Sequence, residues 1–305
     1  MNTKKFGQQI NSDIAVALGF FDSVHIGHRA VINKAIEYAK SNGLKSAVIT
    51  YSNNPFNTLG SEQKLIFTFE ERLEKFEKLG VDLVIHQEFD HNFKQKDRII
   101  YANELIDAYN IKYAVCGLDY RFGKDGLGNI EFLKEFFEKH NIKFEALDFV
   151  QQDGSKISSS NIRKLIEEGK INKANKLLGE PFYITGRVAR GNGYGRLLGY
   201  PTVNLEFQAD KVKPLQAVYI TKTIMGDTSY LSITKVGGRP TFSDNRESIE
   251  THILDFAENL YNRDIKIEFY DLLRPLKRFE NDDQLKEQLN RDIKAAQEYV
   301  FLGDK

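Results

Sequence analysis

Apolar positions follow two rhythms along this chain. Between residues 13 and 150, short apolar runs alternate with stretches whose apolar positions recur every three or four residues. Residues 13–21 (DIAVALGFF), 45–51 (KSAVITY), 81–89 (VDLVIHQEF), 113–120 (YAVCGLDY) and 143–150 (KFEALDFV) read as strands. Residues 27–42, 69–79, 99–109 and 130–140 read as the helices between them. In the first of these helices Ala30, Val31, Ile32, Ala35, Ile36 and Ala39 lie near helical spacing. Strands that alternate with helices at this interval need crossover connections, which predicts a parallel sheet covered by helices on both faces.

The rhythm changes after Asp153. Residues 158–168 and 171–178 read as helices. Residues 183–190, 218–224, 229–236, 249–256 and 265–272 then read as strands separated by turn-rich segments. A last helix over 283–299 carries Leu285, Leu289, Ile293 and Ala296 on one face. Short strands with turns between them predict a small antiparallel barrel. The expected fold class is thus α/β plus β, with a boundary near Gly179-Glu180-Pro181 that divides residues 1–180 from 181–305.

Composition narrows the classes. The chain has 305 residues, enough for two cores at roughly 150 residues per domain. Lys+Arg and Asp+Glu are each 43, so net charge supplies no field for nucleic acid, and no nucleic-acid partner is expected. No apolar run approaches the ~20 residues of a membrane span, so no membrane partner is expected either. The single cysteine, Cys116, excludes a disulfide framework and a Cys-rich zinc site. A reducing compartment follows, and the expected location is cytoplasmic.

Candidate chemistry in the first half sits where strands end. Gly19-Phe20-Phe21-Asp22-Ser23-Val24-His25-Ile26-Gly27-His28 joins a strand to a helix start. Free N–H groups and the positive dipole end there suit phosphate. Two imidazoles three residues apart can both reach that point, and Gly27 lets a nucleotide approach the backbone. Two ordinary surface histidines would produce the same string. Ile157-Ser158-Ser159-Ser160-Asn161-Ile162-Arg163 reads either as a plain serine cap or as a polyphosphate clamp. Gly117-Leu118-Asp119-Tyr120-Arg121-Phe122-Gly123 reads either as a strand exit or as a holder for a ring and a sugar.

In the second half, residues 191–204 are dense in glycine, from Gly191 through Gly195 and Arg196 to Thr202 and Asn204. Glycines turn N–H groups toward an anion, Arg196 can add a charge-assisted contact, and hydroxyl and amide oxygens suit Mg²⁺. Alternation along residues 250–255 places Glu250, His252 and Leu254 on one face. A carboxylate aimed into the barrel mouth can take a proton from a hydroxyl. A solvent-facing glutamate is the other reading.

The order HxGH, GxDxRFG, SSSxIR over the first 180 residues resembles the nucleotidyltransferase domain of bacterial bifunctional riboflavin kinase/FAD synthetases. Residues 191–204, 238–242 (GRPTF), 249–256 (IETHILDF), Leu260-Tyr261, Leu273-Arg274-Pro275 and Lys277-Arg278-Phe279 resemble the same family's riboflavin kinase domain. The chain departs from the family at three positions. Ser23 stands where the family writes glycine, Asn54 stands for a histidine, and Ala217 stands for a glycine.

The resemblance implies a Rossmann-like FMN adenylyltransferase domain followed by a riboflavin kinase barrel with a terminal helix. It implies ATP, riboflavin and FMN as substrates, FAD as product and Mg²⁺ as cofactor. Glu250 would be the kinase base, with Thr202 and Asn204 on Mg²⁺ and the ATP phosphates. Gly191, Gly195 and Arg196 would lie over those phosphates. His25 and His28 would steady the α-phosphate. Gly19, Phe20, Asp22, Gly27, Ser159, Ser160 and Arg163 would bind ATP, and Asp119, Phe122 and Arg274 the flavin. A riboflavin kinase with a weak or inactive first domain is the alternative, and a non-enzymatic flavin-binding protein is a further one.

Overall fold

The computed structural model describes residues 1–152, 155–191, 193–238 and 248–301. Residues 239–242 of the expected GRPTF resemblance therefore lie outside the described residues, as does Asn192. The chain divides into two compact units, Met1–Ser159 and Ser160–Lys305.

The first unit begins with β1 (Asn2–Lys5), β2 (Ile14–Leu18), α1 (Ile26–Asn42), β3 (Lys45–Tyr51), α2 (Pro55–Thr58), α3 (Phe69–Leu79) and β4 (Leu83–Gln87). It continues with α4 (His91–Lys94), α5 (Arg98–Ala108), β5 (Ile111–Gly117), α6 (Ile130–Lys139), β6 (Lys143–Leu147), β7 (Gln151–Gln152) and β8 (Ser155–Lys156). Six strands form one parallel sheet in the order β1-β4-β3-β2-β5-β6. β2 is central and every one of its residues is buried. Successive side chains of β2 point to opposite faces. Ala15 and Ala17 pack with Val31, Ile32, Ala35 and Ile36 of α1, while Ile14, Val16 and Leu18 pack with Tyr101, Leu105 and Phe137 of α5 and α6. β1 had no apolar signature, because all four of its residues are exposed on the sheet edge.

Strand order reverses direction at β2. The chain moves from β2 to β3 and β4 on one side, then crosses to β5 and β6 on the other. Open α/β sheets bind ligands outside the carboxyl ends at such a point. The HxGH turn leaves β2 there, and the residues around Asp119 leave β5 beside it.

α7 (Ser159–Glu167) spans the division between units, and α8 (Ile171–Leu178) belongs to the second unit. There follow β9 (Phe182–Arg187), α9 (Tyr194–Leu198), β10 (Thr202–Leu205), β11 (Ala217–Met225), β12 (Thr228–Gly237), β13 (Ser248–Ile253), β14 (Asp264–Pro275) and α10 (Asp282–Gln297). The six strands are antiparallel in the order β10-β13-β12-β11-β14-β9. The sheet curls until its edges touch: the Ala189 N–H donates to the Asn204 carbonyl at 2.9 Å. Its inner face carries Thr221, Thr223, Ser232, Thr234 and Thr251, all fully buried. Their hydroxyls bond one another at 2.8–3.0 Å, so none is left unsatisfied. α10 covers the outer face, with Ala296 packed among Val218, Ile220 and Ile233.

The expected boundary between 180 and 181 falls later in the chain than the division at Ser159/Ser160. The packing of α8 accounts for the difference. Asn175 donates through Nδ2 to the Phe269 carbonyl on β14 and accepts from the Phe182 N–H on β9, both at 2.8 Å. Residues 171–178 are thereby fastened to the barrel.

Candidate active sites

In the first unit the HxGH turn is built by capping. His25 is the N-cap of α1, with extended backbone, and its Nδ1 accepts the His28 N–H at 3.0 Å. With Nδ1 used as acceptor, a neutral His25 carries its proton on Nε2. The two imidazoles stack at 3.6 Å between centroids. Burial holds the His28 pKa well below the ordinary histidine value, reinforced by His25 and then by Arg72. His28 Nδ1 is buried without a hydrogen-bond partner among the described residues. The pair therefore offers imidazole N–H donors at the dipole end of a helix, with the proton affinity of His28 lowered. A side chain at Gly27 would bring a Cβ within 3.1 Å of the His25 ring, so the glycine makes room for the pair. Phe21 and Val24 both have positive φ, 53° and 43°. For a β-branched residue such as Val24 that conformation is strained, and the tight turn holds it.

The neighbouring residues divide into anchors and open positions. Asp22 is buried, and its Oδ1 accepts the Ile66 N–H at 3.0 Å, so it anchors a loop rather than facing solvent. Gly19 continues β2 by donating to the Ile49 carbonyl, and the Phe20 carbonyl accepts from Thr50 Oγ1 at 2.7 Å. Ser23 is fully buried, and its hydroxyl meets that of Ser159 at 2.9 Å. This bond joins the HxGH turn to the start of the serine-rich helix. Ser160 is exposed one residue further on, and Arg163 is buried on the next turn of α7. Asn54 caps α2, accepting the Phe56 N–H and donating to the Gln63 carbonyl.

Sequence reasoning missed Arg72. It is fully buried on α3 and donates to the Phe20 carbonyl, Thr50 Oγ1 and the Tyr51 carbonyl at 2.7–2.9 Å. Burial lowers its pKa to about 10, opposed by Asp22 and Glu70, so it remains a cation behind the turn. An arginine within an amphipathic helix carries no sequence mark that separates it from a solvated one. Asp119 is exposed at the exit of β5. Phe122 is only 4% exposed and packs against Tyr101, Tyr120 and Phe132, so its ring belongs to the core and not to an open flavin surface.

In the second unit one cavity of about 430 Å³ lies between the outer face of the barrel and α10. Register places Asn204 directly opposite Glu250 and Thr202 opposite His252. All four line the cavity. Glu250 thus faces the outer cavity, not the barrel mouth. The alternation on β13 sends Ile249, Thr251 and Ile253 into the buried interior, which leaves the even positions outside. Gly191 lies against Asn204, where an added Cβ would fall 2.2 Å from Nδ2. At Gly195 a Cβ would fall 2.4 Å from the Tyr200 carbonyl. The glycine loop therefore lies on the Thr202–Asn204 strand more closely than any side chain permits. Arg196 is exposed on α9 and is not part of the cavity wall.

α10 closes the cavity by specific ties. Arg274 grips the buried Asp292 through Nε and Nη2 at 2.7–3.0 Å. Its guanidinium lines the cavity but is already paired, so clamping the helix is its visible use. Tyr200 donates to Asn290 at 2.8 Å, and Tyr194 donates to Asp282.

Two family models match the chain, one for FAD synthetase over residues 7–161 and one for riboflavin kinase over residues 178–300. A bifunctional riboflavin kinase/FMN adenylyltransferase from Listeria monocytogenes is 34% identical, over 91% of this chain and 89% of its own. The protein of that name from Bacillus subtilis is 32% identical, over 93% and 92%. A solved structure described as a macrolide-efflux protein from Streptococcus pneumoniae superposes with TM-score 0.89 at 30% identity, over 98% of this chain and 99% of that one. Efflux remains a statement about that protein. No helix among the described residues here is long and apolar enough to cross a membrane.

Proposed function

The chain belongs to the bifunctional riboflavin kinase/FMN adenylyltransferase family, and from that premise we propose how its residues divide the two reactions. The barrel unit phosphorylates riboflavin with ATP, giving FMN and ADP. The parallel-sheet unit joins AMP from a second ATP to FMN, giving FAD and pyrophosphate.

The observation that carries the kinase assignment is the register pair Asn204–Glu250 at the cavity wall. Glu250 accepts the proton of the riboflavin 5′-hydroxyl as that oxygen bonds to the γ-phosphorus. The bond from the γ-phosphorus to the β,γ-bridging oxygen breaks, and ADP leaves. Thr202 and Asn204 offer a hydroxyl and an amide oxygen beside the glycine loop. No group of three His, Cys, Asp or Glu side chains that could cage a metal occurs among the described residues. This donor set fits Mg²⁺, which binds through few protein oxygens and completes its shell with phosphates and water. When bound, Mg²⁺ supplies charge neutralisation on the transferring phosphates.

In the first unit His25 and His28 donate to the α-phosphate as charge builds on it. Ser159 holds the β- and γ-phosphates, and Asp119 contacts the adenosine or the flavin.

A reciprocal pair of variants tests the division. Glu250→Gln is expected to lose ~10²–10⁴-fold in FMN formation, the usual loss on removing a positioned base. It should keep its conversion of supplied FMN to FAD. His28→Ala is expected to lose about 10²-fold or more in FAD formation, as when one transition-state donor is removed. FMN should then accumulate. Chromatographic separation of FMN from FAD reads both. An equal loss of both activities in either variant would refute the division.

A further inference from the structure

Lys235 stands outside every motif above, yet the sheet register ties it to Glu250. β12 and β13 pair so that Lys235 lies directly opposite Glu250, while Asn204 lies opposite Glu250 on the other side. The three make one row across three strands, and all line the same cavity. Lys235 Nζ is 3.7 Å from Glu250 Oε2, and the Ser248 hydroxyl donates to Oε1 at 3.3 Å. The Lys235 and Glu250 side chains are 25% and 19% exposed, so the pair is screened less than a surface ion pair. A glutamate has three side-chain torsions, and a base must hold its lone pair where the hydroxyl arrives. Lys235 and Ser248 grip the carboxylate from its two oxygens and restrict those torsions.

We propose that Lys235 is a positioning residue of the phosphoryl-transfer site, acting through the Glu250 carboxylate. This rests on the reading of Glu250 as the kinase base. Without the ammonium the carboxylate samples other rotamers, and misplacement by about 1 Å can cost as much as ~10²-fold in rate. Riboflavin binding does not depend on this contact, so the loss belongs in kcat and not in KM.

The test is a double-mutant cycle on the full chain, with FAD formation from supplied FMN as an internal control for folding. Lys235→Met is expected to lower kcat for FMN formation roughly tenfold or more, with KM for riboflavin within about twofold. Lys235→Arg should restore most of the rate. In the Glu250→Gln background, Lys235→Met should cause no further loss, since the group it positions is gone. Should the methionine variant lose the internal control, Lys235→Gln repeats the test with a polar head.

Losses that multiply in the double variant would overturn the proposal, because Lys235 would then act on the phosphoryl group directly. An unchanged kcat in Lys235→Met, with Glu250→Gln inactive, would remove only the role of Lys235. Wild-type kcat in Glu250→Gln would remove the base assignment and this proposal with it.

Discussion

Ser23 stands where the family resemblance expects glycine, and the structure puts its side chain to use. Its buried hydroxyl meets Ser159 and links the HxGH turn to the helix that follows the sheet. Ser23→Ala removes one hydrogen bond, worth about 1 kcal/mol. The expected result is a several-fold rise in KM for ATP in FAD formation, with FMN formation unchanged. Steady-state kinetics with FMN supplied would check this, and an unchanged KM would mean that the bond serves packing alone. His28 sets a pH dependence at the same scale. Its folded pKa is lowered by burial, then by His25 and Arg72. The unfolded chain therefore binds a proton that the folded chain does not. The stability that neutral His28 permits is complete above about 6.5, the ordinary histidine value, and is lost as pH falls below it. The unfolding transition of the first unit should shift to lower temperature between pH 7.5 and 5.5, and His28→Asn should flatten that shift. Thermal scans followed by circular dichroism would show both. The histidines were legible from spacing and position after a strand. Asp22 and Phe122 were not legible as interior residues, because a motif does not say which members face inward.

Among elements, α8 has an importance out of proportion to its eight residues. Its amphipathic pattern (INKANKLL) was readable as a helix, but its partner was not. Asn175 bonds both a buried carbonyl on β14 and a buried N–H on β9. Asn175→Ala strands both groups, at about 1–3 kcal/mol each. Urea denaturation should show the second unit's transition moved to lower denaturant, with the first unit's transition unchanged. A midpoint unchanged within error would mean that water replaces the amide without cost. α10 shows a similar gap between pattern and partner. Leu285, Leu289 and Ile293 share one face by their spacing, and they form the far wall of the cavity. The Arg274–Asp292 pair that fixes the helix joins residues from separate elements, so no local pattern announced it.

At the scale of the molecule, the division at Ser159/Ser160 defines a longer second fragment than a cut at 180 does. Residues 160–305 keep α8 and both bonds of Asn175. Residues 181–305 lose them and expose the barrel surface that α8 covers. The longer fragment is expected to fold and to phosphorylate riboflavin, and the shorter one to melt lower. Equal melting temperatures, or a folded 160–305 fragment without kinase activity at saturating ATP and Mg²⁺, would contradict this.

Periodicity by itself determined that a parallel α/β sheet precedes an antiparallel barrel, because residues 2 or 3.6 apart share a face whatever they later touch. Local order also determined the HxGH cap, since His25 accepts the N–H of a residue only three positions away. Tertiary structure alone decided the rest. Glu250 lies on the outer face because Thr251 closes a hydroxyl chain inside the barrel. Lys235 meets Glu250 because two strands pair in one register and not the next. Arg72 stands behind the first site because two separate segments, at Phe20 and at Thr50-Tyr51, bring carbonyls and a hydroxyl to one guanidinium. Each of these depends on contacts between residues far apart in the chain. Alternation fixes which residues share a face, but only packing decides which face is covered and by what.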